Sequence, residues 1–342
     1  MTAKAHTRLS PLLITGGLQR PEAEAMASTS GNHYFRARLS RLNWTDKSET
    51  VLMDHETPQG ARPDETPGIR FTAMTLQGDR LYLCTGTEVF VYSWPELERL
   101  QYSTHPHFHD IHHVAPMNGG VTVASTGLDM VIELDDSLAP KRYVNTVSDD
   151  PWFKYDPEDD WRKVHSTQPH DAHPNYLLSM NGEPWVTRGY QSDVMRLTDR
   201  RTVSLSDKRV HDGHIVGDHA FFTSVDGRII VLNTHTLAID EVVDLMPLEG
   251  TELPLGWCRG LHVDGDVAYV GFTTLRTTKW KDNVEHFLNS RTGEYKQVLP
   301  SRVVAYDLKK RIKLDEYVIP RESIGAVFDV VAIPDWAEGD ES

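Results

Sequence analysis

The feature that most constrains this chain is an internal repeat, because a unit too small to bury its own apolar face must stack against copies of itself. Five segments carry the same train of short strands. From Thr72 the chain reads AMTLQGDRLYLCTGTEVFVYSW, and after His112 come VTVASTG and LDMVIELD. After His173 come NYLLSMNGEPWVTRG and SDVMRL, and after His214 come IVGDHAFFTSVDG and RIIVLN. After His262 come VDGDVAYVGF and, past an insertion, SRVVAYDL. Each train reads strand, tight Gly/Asn/Asp turn, strand, second turn, third strand, with apolar residues alternating. The starts Thr72, His112, His173, His214 and His262 lie 40, 61, 41 and 48 residues apart.

Short strands repeated at this spacing predict an all-β fold, a six-bladed β-propeller formed as one domain over residues 1–342. The sixth blade is composite. GAVFDVVAIPDW near the C-terminus supplies one strand, and PLLITGG, HYFRARLSRL and SETVLMD near the N-terminus supply its partners. N-terminal strands pairing with the C-terminal strand close the ring without an exposed sheet edge. A seventh blade is open only if the insertion Thr277–Pro300 hides strands. That insertion (about 277–300) and a second one (about 148–168) are polar but spotted with aromatics, among them Trp152, Trp161 and Trp280. They read as surface loops or as lids over one face.

The net charge of −15 argues against nucleic acid and anionic membranes as partners, since both call for clustered Lys and Arg. Apolar runs are too short to cross a bilayer, and the N-terminus shows no sustained apolar core of a secretion signal, so the expected location is cytoplasmic. Cys84 and Cys258 match no metal or redox spacing and read as reduced core residues. The oligomeric state is left open.

Seventeen histidines are roughly twice what average composition supplies. Three tetrapeptides share one form: His109-Asp110-Ile111-His112, His170-Asp171-Ala172-His173 and His211-Asp212-Gly213-His214. A fourth, Arg259-Gly260-Leu261-His262, keeps only the last histidine. In a propeller the first strand of each blade lines the channel, so one repeat position converges on the axis. The expectation is therefore a single layer of Thr72, His112, His173, His214, His262 and Asp329. Four imidazoles and a carboxylate there make a transition-metal set, with Fe(II) or Cu favoured and Zn or Mn open. His109, His170 and His211 form a second layer with catalytic candidacy. Asp110, Asp171 and Asp212 are placed to orient imidazoles, and Arg259, standing where a histidine is replaced, suits an anion. The competing reading is a His/Asp brace between strands, as the Gly-His and Trp-Asp pairs of WD-type repeats provide.

The HDIHHV…VASTGLDMVIELD stretch, about 30 residues, resembles the blades of bacterial arylsulfotransferase-like and streptogramin-lyase-like propellers, a resemblance of blade style. The set of four inner-strand histidines also looks like the carotenoid-cleavage oxygenases, whose non-heme iron the resemblance would place on His112, His173, His214 and His262. This chain is shorter than those enzymes, shows six blade starts rather than seven, and has no extended apolar entry tunnel.

Three functions follow as expectations. The first is a metal-dependent enzyme acting on a small organic molecule, oxidative chemistry slightly ahead of lyase or hydrolase chemistry. The second is a metal-independent transferase or lyase using a rim histidine, with Arg259 holding an anionic group. The third is a non-catalytic interaction platform. No nucleophile elbow, phosphate-binding glycine loop, dinucleotide fingerprint or HExxH helix is present.

Overall fold

The computed structural model describes residues 8–21, 33–275 and 298–334. These form six four-stranded antiparallel sheets, the six blades of a propeller. Blade I is the composite one. Its innermost strand is the C-terminal β24 (Ala326–Ala332), followed outward by β1 (Leu12–Gln19), β2 (Tyr34–Asn43) and β3 (Ser48–His55). β1 pairs with β24 from Leu12↔Ala332 to Gly17↔Ala326, so the two ends of the chain lock the ring. Blades II to VI begin with inner strands β4 (Ala73–Gln77), β8 (Ile111–Met117), β12 (Pro174–Met180), β16 (Val210–Val216) and β20 (Trp257–Asp264). One short helical turn, Met246–Glu249, is the longest helix among the described residues besides three 3-10 turns.

In blades II to VI each inner strand runs into a two-residue hairpin. In Asn118-Gly119 and Asn181-Gly182 both residues have positive φ, the backbone that matches the right-handed twist of the flanking strands. The apolar faces meet between blades, not at the axis. Leu13, Leu39 and Phe71 of blade I and its exit loop pack on Leu81, Leu83 and Phe90 of blade II. Val123, Met130 and Ile132 of blade III pack on Cys84, Val89 and Val91 of blade II. Comparable clusters fill the other junctions. With the core distributed this way, the axial channel is free to carry polar side chains.

The insertion about 148–168 folds back over blades II and III. Trp152, Tyr155 and Trp161 pack on their shared core. His107 bridges Tyr143 Oη on the strand before the loop (2.7 Å) and Pro157 O within the loop (2.8 Å). Its last residues, Val164 to Gln168, reach the channel mouth. The other insertion lies mostly outside the described residues. No helix among the described residues is long and apolar enough to cross a membrane. Cys84 and Cys258 are both buried and unbridged.

Candidate active site

In blades II to VI the last paired residue before the first hairpin turn is Gln77, Met117, Met180, Val216 and Asp264. These fix a common register. Five residues back stand Thr72, His112, Asn175, His211 and Arg259, and seven back stand Arg70, Asp110, His173, Arg209 and Trp257. Phe328 and Ala326 occupy the matching places in blade I. All of these except Thr72 line one cavity of about 410 Å³ at the mouth of the channel, in two tiers. A bulge in the inner strand at this level, such as that between Ile111 and His113, or between Val210 and Gly213, turns the tiers inward.

The single expected layer is therefore not one layer. Thr72 and His112 share the lower tier, and His173 sits in the upper tier. His214 and His262 lie three residues beyond the lower tier, roughly 10 Å further along the strands. There their rings meet each other at 4.2 Å between centroids, apart from the other histidines. Asp329 is buried below the cavity, where Asp329 Oδ2 accepts from Met74 N of blade II at 2.9 Å. The physical reason is a slip of the tetrapeptide against the blade. Measured from the turn, it starts two residues earlier in blade IV and three later in blade V than in blade III. The four histidines expected to share an ion do not gather. Among the described residues, no three His, Cys, Asp or Glu side chains stand as ligands for one metal ion.

What gathers instead is His112, His170, His173 and His211, with ring centroids 4.9 Å apart for His112–His173 and His170–His173, and 5.7 Å for His112–His211. His109 also lines the cavity. His211 Nδ1 donates to Asp212 Oδ1 at 2.9 Å. Asp212 Oδ2 accepts from Gly260 N of the next blade, so the carboxylate is fixed while it orients the ring. His211 Nε2 is buried and has no hydrogen-bond partner among the described residues. Burial lowers the affinity of His211 for a second proton against the pull of Asp212. Burial opposes the charge on Asp212, but His211, Gly260 N–H and Arg259 hold its carboxyl below the usual range. The result is an imidazole with its lone pair on Nε2.

His173 is set by the loop before β12. Asp129 is fully buried and accepts from the backbone N–H groups of Asp171 (2.8 Å), Ala172 (2.9 Å) and His173 (2.8 Å). His173 itself is left-handed, with φ 59°. Its Nδ1 lies 2.7 Å from His170 Nδ1, one donating to the other. Burial, then the proximity of His112 and His170, pushes His173 well below the usual imidazole range. Burial likewise lowers His170. Gly127 makes room for His109, since a Cβ there would fall 2.1 Å from the His109 ring.

The cavity wall is basic in an acidic protein. Arg70, Arg162, Arg209 and Arg259 line it against a single carboxylate, Asp110, among the described residues. Arg70 pairs with Asp110 at 2.7 Å, and Arg162 with Asp160. Arg259 forms no ion pair with a described residue. Its guanidinium lies over the rings of Phe328 (5.4 Å) and Trp257 (5.9 Å), and its buried Nε has no hydrogen-bond partner among the described residues. Burial lowers it from the usual arginine range.

Of the expected second layer, His211 stands in the lower tier, whereas His170, on the loop before β12, and His109 line the cavity outside the two tiers. Asp212 orients an imidazole as anticipated, and Asp110 faces His112, but Asp171 turns outward to Lys154 at 2.9 Å. The positions after the lower tier act as braces between blades. His113 Nδ1 accepts from Leu177 N, and Asp212 and Asp329 accept from the blades that follow theirs. Asn175, Tyr190 and Trp257 line the cavity, whereas Arg188 is engaged by Asp193 at 2.6 Å. Tyr34, Phe328 and Arg209 are not among the residues expected from the repeat, and neither is His33, which is buried beside the cavity. Counting back seven residues from Val216, which precedes the Gly217-Asp218 turn, is the signal that finds Arg209.

No protein-family model matches the chain, and no curated protein matches it. Solved structures do. A protein of unknown function from Bacteroides caccae is similar with TM-score 0.59 and 11% identity, covering 94% of this chain and 98% of that one. A chain of a nidogen/laminin complex is similar with TM-score 0.56 and 10% identity, covering 94% and 97%. At these identities the likeness is one of fold, the six-bladed propeller.

Proposed function

We propose that the axial cavity is the active site of an enzyme that moves a proton on a small anionic organic molecule, with His211 as general base and Arg259 holding the anion. The observation that carries this reading is the His211–Asp212 pair. Its Nε2 lone pair is unused, and the Arg259 guanidinium near it forms no ion pair with a described residue. An imidazole held in one tautomer by a carboxylate is a general base ready to act, and the buried cation strengthens the acidity of a C–H or O–H next to the bound anion. A brace between strands would need Asp212 but would not leave the second ring nitrogen without a hydrogen-bond partner among the described residues.

The test is turnover. Wild-type protein is incubated with pooled small carboxylates, phosphate esters and sulfate esters, and conversion is followed by mass spectrometry. The expected result is conversion that His211→Asn lowers by about 10²–10⁴-fold, the usual worth of a general base. Arg259→Met should chiefly raise KM. Conversion equally fast in His211→Asn overturns the assignment.

A further inference from the structure

Toward the far end of the channel, two histidines have only each other. Two residues before the last paired residue of the inner strands of blades II to VI stand Thr75, Ala115, Leu178, His214 and His262. Two of the five are imidazoles, on neighbouring blades: His214 on β16 and His262 on β20. Their rings meet at 4.2 Å between centroids and 49° between planes, and neither lines the axial cavity. Neither ring makes a hydrogen bond or ion pair with a described residue. Both residues are partly exposed, and their ring nitrogens stay open to solvent, unlike His109 Nε2 and His211 Nε2, which are sealed. Burial of the ring bodies still pushes His214 down to about 4. Burial, then the closeness of His214, takes His262 well below the usual imidazole range. At pH 7 both rings are therefore neutral, the form in which an imidazole ligates a metal. Asp264 stands two residues beyond His262 on the same face of β20. It is exposed, accepts from Ser10 Oγ at 3.4 Å, and its charge reaches His214. It is not a third ligand where it stands, but its charge favours a cation beside the pair.

We propose that His214 and His262 form a two-histidine site for a borderline divalent cation such as Zn²⁺, Ni²⁺ or Cu²⁺, which ties blade V to blade VI, with water in the remaining positions. Metal–nitrogen bonds of about 2.0–2.1 Å put the centroids of two imidazoles on one ion roughly 4.5–5 Å apart, so rings at 4.2 Å need open only slightly. Imidazole suits these metals, whereas Mg²⁺ and Ca²⁺ call for oxygen ligands. A plain packing contact has no need of imidazoles: at the same height Ala115 and Leu178 pack within apolar clusters. With two protein ligands rather than the four of a closed structural site, the ion exchanges with solution.

Isothermal titration of Zn²⁺ into untagged, chelator-stripped, full-length protein tests the site. The tightest equivalent is expected to weaken at least tenfold in His214→Ala and in His262→Ala. It should be unchanged in His219→Ala and His235→Ala, which alter histidines elsewhere on blade V, each beside an aspartate. Cu²⁺, Ni²⁺ and Co²⁺ should bind in that falling order. Hydrogen exchange of the wild type with and without Zn²⁺ gives a second reading that does not depend on any variant folding, with protection expected in β16 and β20. No Zn²⁺ binding by the wild type, equal binding in the wild type and both variants of the pair, or protection confined to other strands overturns the site. Since neither ring lines the axial cavity, loss of this site leaves the active-site reading untouched.

Discussion

At the scale of single residues, the protein carries several imidazoles where water cannot reach them. Burial lowers His109 from 6.5 to about 4 and His113 from 6.5 to about 3. Both are nearly inaccessible, at 4% and 1% exposure. The folded form holds them neutral, while the unfolded chain protonates them below pH 6.5. The unfolded state thus binds more protons as pH falls, and stability that is intact above pH 6.5 is lost on the way down through the folded values. Each unit of difference is about 1.4 kcal/mol, so a loss of several kcal/mol is expected between pH 6.5 and pH 4. Urea midpoints at pH 7 and pH 5 measure it, and equal midpoints would contradict the burial of these rings. Gly127→Ala is expected to displace His109 and to lower the thermal midpoint by several degrees, because its Cβ would land on the ring. Calorimetry of the variant decides that.

At the scale of elements, Asp129 does the most for the site without touching it. It sits just before the third strand of blade III, yet it holds the loop of blade IV that carries His173. Asp129→Ala leaves three backbone N–H groups without their acceptor, and a loss of about 2–4 kcal/mol is expected. Denaturation by urea gives the number, and a loss under 0.5 kcal/mol would mean the loop is held otherwise. This scale also explains what the sequence disclosed. Blade count and closure were legible because hairpin turns and alternating strands are local signals. The tiers were not, because three tetrapeptides that look alike sit at different heights on their strands. His211 and Arg259 were correctly matched, since both start their tetrapeptide at the same distance from the turn. His112, His173 and His214 were not, because loop length before the strand and a bulge within it both move a side chain along the axis. The Asp that orients a ring was readable from adjacency in sequence only for Asp212; Asp110 reaches His112 from the upper tier, and Asn175 reaches it from another blade.

At the scale of the whole molecule, the ring of inter-blade cores and the pairing of β1 with β24 make one cooperative body whose axis is polar. Both cysteines belong to those cores, and burial pushes the Cys84 thiol up to about 12. A thiol-reactive dye is expected to label neither in the native protein and both in urea; rapid native labelling would contradict the closure of the ring. The same architecture gathers side chains from all six blades around one basic cavity in a protein of net charge −15. The local reversal of sign favours a small anion over a polyanion, whose remaining charge the acidic surface repels. The measurement that bears most directly on this is calorimetric titration of malonate and inorganic phosphate into the wild type and Arg259→Met. Saturable binding at one site per chain, weakened at least tenfold in the variant, is the predicted result. Absence of binding in the wild type, or equal binding in both proteins, would contradict an anion site at the propeller mouth.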